Sequence, residues 1–356
     1  MEGSRFIWTP ASQSSESDDP FYYRYKSLKR HPKGTIRLLT IQPGNSYIIH
    51  CTTTIAHLDK EPQYKALSYM WGTEEPNRKI SINGKLFRLR SNLWACLKRL
   101  QRLKDPTSIW IDAICINQND ILERNQQVSV MGKIFSQAEV VIAWTGDDPS
   151  GSLQPLERLR DRGHLEWPRG SLLNATRALV SRPYWDRLWI VQELCLAQEV
   201  LVWYGDCGEV QMQWLCDWYN SWYSPVGKDM PPPWESFCAL HSVWGTTRPK
   251  YLAMKGPCLR ELFWLIPTFS GMLCSDPRDK VYALLSLAVD QEKHAIMPNY
   301  SNTVEDLCRD LDRAYGRSHN WSQYFRKDFH PETVRWPEEK SPAERPPVLF
   351  EQVMKV

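Results

Sequence analysis

The chain has 356 residues, 42% of them hydrophobic and 24% charged, with a formal net charge of +3. That is an ordinary globular composition, long enough for one large domain or two modest ones. So small a net charge gives no reason to expect a nucleic-acid binder, and no apolar run approaches the ~20 residues needed to span a bilayer. The N-terminus lacks the basic-then-apolar order of a secretory signal. The ten cysteines show neither CxxC pairs nor zinc spacing, so they read as reduced thiols of a cytoplasmic protein without a metal site. The seventeen tryptophans are expected mainly in core and interface, with some able to stack on a planar ligand.

In chain order, 1–33 reads as a loose arm. "TIRLLTIQPG" (35–44) is a strand ending at a Pro-Gly turn, and "YKALSYMWGT" (64–73) a buried strand that breaks at Gly72. "KISINGKLFRL" (79–89) alternates around Asn83-Gly84, a two-residue hairpin signal, and Ser91 is placed to cap the helix that follows. "SIWIDAICINQ" (108–118) and "AEVVIAWTG" (138–146) are near-continuous apolar runs, as suits strands covered on both faces. Between them Asp120 and Glu123 have capping-box spacing ahead of a helix that buries Val128, Met131 and Phe135.

An insertion at about 147–182 precedes a helix opened by Pro183 and running to about Gln198, and "EVLVWYG" (199–205) adds a strand. The core thus spans 34–208. A Trp-rich extension (209–300) holds a linker at "PPPWESF" (231–237) and a capped amphipathic helix at "DPRDKVYALLSLA" (276–288). A polar tail (301–356) closes the chain. Strands alternating with helices predict an α/β fold with a parallel sheet. The basic clusters "KSLKR" (26–30) and "KRLQRLK" (98–104) read as solvated faces.

GxGxxG, GxxxxGK[ST] and GxSxG patterns are absent from the sequence. Cys115, Cys195 and Cys207 are conceivable nucleophiles, but burial without activation is the commoner state of such cysteines. The acids carry more. Ligands of open α/β sheets bind at the carboxyl ends of the strands, and the polar breaks Ser68–Thr73, Asp112–Asn119 and Thr145–Asp148 fall there. Asp112, inside an apolar run, requires hydrogen-bond partners. On a continuous helix Asp186, Trp189 and Glu193 share one face. From that spacing alone, Glu193 reads first as an acid on a solvated face.

The stretches "TIRLL", "YKALSYMWG", "LWACLKRL", "IWIDAICINQNDILERNQQVSVMGKIFSQAEVVIAWTG", "RPYWDRLWIVQELCLAQEV" and "DPRDKVYALLSL" resemble, in this order and over about 35–300, the HET domain. This is the heterokaryon incompatibility domain of filamentous fungi, associated with non-self recognition and programmed cell death. The HET family in turn is remotely similar to TIR domains. The resemblance implies a TIR/flavodoxin-like parallel sheet flanked by helices, with an added hairpin, an insertion and a Trp-rich helical C-terminal region. "LWIVQEL" is similar to the TIR segment whose glutamate is catalytic in enzymes that cleave NAD, and that glutamate falls on Glu193.

The implied substrate-binding set is Ser68, Tyr69, Trp71, Gly72, Asp112, Arg124 and Trp189. NAD or a related nucleotide would be substrate rather than cofactor, with self-association expected. Two departures stand against the TIR pattern: the insertion at 147–182, and Trp71 where many TIR domains have Arg. The readings left open are an NAD glycohydrolase-like effector, a non-catalytic module acting by self-assembly, and a HET-fold enzyme recruited to other, biosynthetic chemistry.

Overall fold

A computed structural model describes residues 19–44, 46–156, 170–206, 208–218, 237, 240–241, 244, 261–288, 295–315 and 320–325. The arm's first half, the middle of the insertion, most of the 231–237 linker and the end of the tail lie outside these residues. The described strands are β1 (Thr35–Ile41), β2 (His50–His57), β3 (Lys65–Tyr69), β4 (Arg78–Ile82), β5 (Lys85–Leu89), β6 (Ile109–Trp110), β7 (Val141–Trp144), β8 (Val200–Tyr204) and β9 (Gly208–Gln211). They form one mixed sheet in the order β5-β4-β2-β1-β6-β3-β7-β8-β9. Helices among the described residues include α1 (Ser91–Leu103), α2 (Asp112–Cys115), α3 (Ile121–Gln137), α4 (Ser171–Val180), α5 (Ile190–Cys195), α6 (Leu262–Thr268), α7 (Asp279–Tyr282) and α8 (Val304–Tyr315).

The expected α/β class holds. At the centre β6, β3, β7 and β8 are parallel. Taken in chain order they stand 2-1-3-4, the order of a flavodoxin-like sheet, whose ligands sit at the carboxyl ends beside the first strand. All four residues of β7 are buried, as strands covered on both faces must be. Antiparallel strands widen the sheet. β1 joins β6 on one side and β2 on the other, and β9 turns back on β8. The β4–β5 hairpin turns at Asn83 and Gly84, whose φ values of 52° and 78° are those a type I′ turn requires.

Several boundaries differ from the sequence expectation, each for a local reason. The run 108–118 is a two-residue strand followed at once by α2. Asp112 Oδ1 accepts from the Ala113 N–H at 2.7 Å, and the Cys115 N–H bonds the Ile111 carbonyl at 2.7 Å, so the chain coils where hydropathy alone would extend it. Ser91 is the first helical residue and not the cap; its hydroxyl donates to Asn77 at 2.9 Å. Asp120 does cap α3, accepting from Leu122 and Glu123 N–H groups at 3.1 and 3.3 Å. Glu123, however, turns inward to a bidentate pair with buried Arg37 at 2.5 and 2.9 Å.

The helix expected over 183–198 is two pieces: a 3-10 turn at Pro183–Asp186 and then α5, separated by Arg187, which bridges to Leu273. The helix expected over 276–288 is likewise split, into α7 and a 3-10 turn at Leu285–Leu287. The cluster 98–104 is not wholly solvated. Arg99 is buried, lies 3.9 Å over the Trp203 ring and donates to the Gly208 carbonyl at 2.8 Å. Phe21–Tyr23 lie beside β5, with the Tyr23 N–H on the Leu86 carbonyl at 2.8 Å, and the tail carries α8.

Candidate functional site

Four elements converge at the carboxyl ends of the central strands. β3 ends in Ser68 and Tyr69, both buried, and Trp71 and Gly72 follow; Gly72 has a φ of 79°, in the left-handed region. After β6 the tight coil of α2 presents Asp112. Behind them, the 3-10 turn supplies Tyr184 and α5 supplies Glu193.

Glu193 is 2% exposed, which overturns the reading of a solvated face. The physical reason lies in the break at Arg187. Asp186 and Glu193 do not share a continuous helix, so the outward face inferred from helical spacing does not exist. Burial of an acid requires partners, and Glu193 has them. Ser68 Oγ donates to Glu193 Oε2 at 2.5 Å and lies 2.7 Å from the Tyr184 hydroxyl. Since the serine proton is engaged by the carboxylate, the tyrosine donates to the serine. Arg187 reaches the same Oε2 at 3.5 Å. Among the described residues, Oε1 accepts no hydrogen bond.

Asp112 faces this group. The Trp71 indole N–H donates to Asp112 Oδ2 at 2.8 Å. Burial first, then the nearby Glu193 charge, pushes the Asp112 carboxyl up to about 7. Burial works against the charge of Arg187, yet the carboxylates of Glu193 and Asp112 hold its guanidinium above the ordinary arginine range. Burial drives the Tyr69 and Tyr184 phenols well up, so both stay neutral donors. The arrangement is a pair of carboxylates around one arginine, beside an indole held edge-on by its own N–H.

Ser68, Tyr69, Trp71, Asp112 and Glu193 are thus brought together. Two other candidates face elsewhere. The Trp189 indole donates to Asp279 Oδ2 at 3.0 Å, and Arg124 stacks 3.8 Å over Tyr300, whose hydroxyl donates to Asp279 Oδ1 at 2.7 Å. They belong to a second buried cluster behind α5. Conversely, Tyr184 and Arg187 are site residues that the sequence reading missed. A signal was present in "RPYWDRLWIVQEL", where a Tyr and an Arg precede the acid within the same short segment. Cys115 is fully buried, its thiol pushed up to about 12 by that burial, and Cys195 is buried as well. Cys207 lies outside the described residues. Among the described residues no group of three His, Cys, Asp or Glu side chains could hold a metal ion, and no helix is long and apolar enough to cross a membrane.

Residues 64–193 match the family model described as Heterokaryon incompatibility protein (HET). Every candidate site residue falls within that match. The chain is also similar to "Heterokaryon incompatibility protein 6, OR allele" of Neurospora crassa, at 27% identity over 365 aligned positions that cover 82% of this chain and 53% of that protein. It therefore spans about half the length of this relative. No solved structure matches.

Proposed function

From the premise that this chain carries a HET domain, we propose that it acts in fungal non-self recognition and that its cleft cleaves the nicotinamide–ribose bond of NAD. The observation that carries the reading is Glu193: one oxygen is fixed by Ser68 and Arg187, and the other carries no hydrogen bond from the described residues. In the reaction the N-glycosidic bond breaks and its electron pair leaves with nicotinamide. Positive charge develops on the ribose, water adds at the anomeric carbon, and a proton is released. Glu193 Oε1 would hold a ribose hydroxyl or face the oxocarbenium-like centre, as carboxylates do in glycoside hydrolysis. Ser68, itself held by Tyr184, and Arg187 fix the other oxygen, so little reorganisation accompanies the developing charge. Trp71, tethered by its N–H to Asp112, offers a ring face to a planar base. The remote likeness to TIR domains is the further ground for choosing NAD.

The test is nicotinamide release from NAD by the purified chain beside Glu193→Gln. Turnover by the wild type is expected to fall by roughly a hundredfold or more in a folded Glu193→Gln, the scale of losing a transition-state electrostatic contact. Turnover unchanged in the variant would remove Glu193 from the chemistry. A second reading is favoured by the depth of that burial: an acid so enclosed and bonded by its own chain suits a structural role, in a module that works by self-association. No turnover by either protein, with concentration-dependent assembly in sedimentation, would decide for it.

A further inference from the structure

β2 runs past its outer neighbour. Its pairing with β4 consists of His50 with Ser81 and Cys51 with Ile82, because the β4–β5 hairpin turns at Asn83. Asn83 then closes the pairing, its N–H bonding the Cys51 carbonyl at 2.9 Å and its Oδ1 accepting the Thr53 N–H at 3.1 Å. On the opposite side β2 is paired with β1 along its whole length. The even-numbered residues face β1: the His50 carbonyl accepts from Gln42, and the Leu58 N–H reaches the Gly34 carbonyl. The odd-numbered residues therefore direct their backbone groups outward. Among the described residues the Thr53 carbonyl, both groups of Ile55 and the His57 N–H have no partner. They span roughly 15 Å at ~3.3 Å per residue. Ile55 is 45% exposed on this edge. A bare edge with an exposed apolar residue is a template for another strand.

The edge opens into a groove of about 850 Å³ between β2 and residues 20–26, whose lining among the described residues includes Tyr22, Arg24, Lys26, Arg37 and Lys85 and no carboxylate. Arg37 is committed to Glu123, and Lys85 donates to the Pro20 carbonyl at 2.7 Å. Arg24 and Lys26 are exposed, and among the described residues their side chains have no ion-pair partner. Beyond the edge, Asp59 is occupied by Lys133. Among the described residues the groove is thus cationic along an unpaired strand edge.

We propose that this edge is a docking site for an extended acidic segment of a partner protein, which adds to the sheet as a strand beside Thr53–His57. Main-chain hydrogen bonds to Ile55 and its neighbours would supply affinity, and Arg24 and Lys26 would select acidic side chains. The proposal is independent of the reading of Glu193.

The probe is a fluorescein-labelled octapeptide of alternating Val and Glu, titrated with the full chain by fluorescence anisotropy, beside the same peptide with Lys in place of Glu. The acidic peptide is expected to bind at least about tenfold more tightly. Ile55→Pro removes the outward N–H while sparing the inner ladder, as proline does on edge strands, and is expected to weaken the acidic peptide at least about tenfold. The double change Arg24→Glu, Lys26→Glu should do the same. A wild-type measurement keeps the test clear of folding: the acidic peptide N-methylated at alternate residues should lose affinity. Equal binding of both peptides, equal binding of the N-methylated form, or no binding would overturn the proposal. A dimer abolished by Ile55→Pro, without peptide binding, would assign the edge to a second copy instead.

Discussion

Asp112 shows how a single residue ties the site to stability. Its carboxyl titrates at about 7 in the folded chain, against about 3.9 when unfolded. Between those values the native state holds a proton that the unfolded state has lost. The resulting stabilisation is complete below about pH 4 and disappears as pH rises through about 7. Asp279, pushed up to about 7 chiefly by burial, adds to the pH dependence in the same direction. Asp112→Asn is therefore expected to flatten the fall in urea midpoint between pH 5 and 8, leaving the part owed to Asp279. A slope identical to the wild type would mean Asp112 does not titrate in that window. The same residue marks what sequence could and could not give. An acid in an apolar run signalled that it needed partners, but nothing in its spacing named the indole of Trp71. Glu193 was legible only through family resemblance, because helical periodicity assumes an unbroken helix and Arg187 breaks it.

At the scale of elements, the apolar parallel strands and the Asn-Gly hairpin were readable because burial on both faces and positive φ leave strong compositional marks. Boundaries decided by one hydrogen bond, such as the coil at Asp112 or the bridge of Arg187 to Leu273, leave none. Close approaches are equally silent. Gly132 lies midway along α3, where glycine is disfavoured by ~1 kcal/mol relative to alanine, yet a Cβ there would stand 2.3 Å from Ser286 Cβ. The glycine lets α3 seat against the 3-10 turn Leu285–Leu287. Gly132→Ala is expected to lower stability by about 1–3 kcal/mol through overpacking, in spite of the helix-propensity gain. Adding Ser286→Gly should restore much of it. Denaturant melts of the single and double variants check this, and a stabilised single variant would contradict the close contact.

Across the whole molecule, one of the links that fasten the C-terminal segment to the site runs through Asp279. Trp189, just ahead of α5, donates to Asp279 of α7, and Tyr300 donates to the other oxygen of the same carboxylate. Trp189→Phe removes one donor from a buried acid and is expected to cost about 1–3 kcal/mol. It should also raise hydrogen exchange over 190–195, the helix that holds Glu193. Exchange unchanged there would show α5 to be held by α3, β3 and β7 without this link. This coupling was invisible in the sequence, since the two residues lie ninety positions apart and neither stands in a motif with the other.

The place of β3 has a consequence for how the chain is made. Its two neighbours, β6 and β7, both come later in the sequence. β3 must leave the ribosome unpaired, gains its first neighbour only when Trp110 has followed it, and has both only after Trp144. Its apolar residues are meanwhile open to chaperones, or to a neighbouring nascent chain. Glu193 emerges later still, so Ser68 acquires its partner only after the sheet beneath it has closed. Synthesis halted before α5 would leave β3 paired on both sides, β7 without β8, and the cleft without its acid.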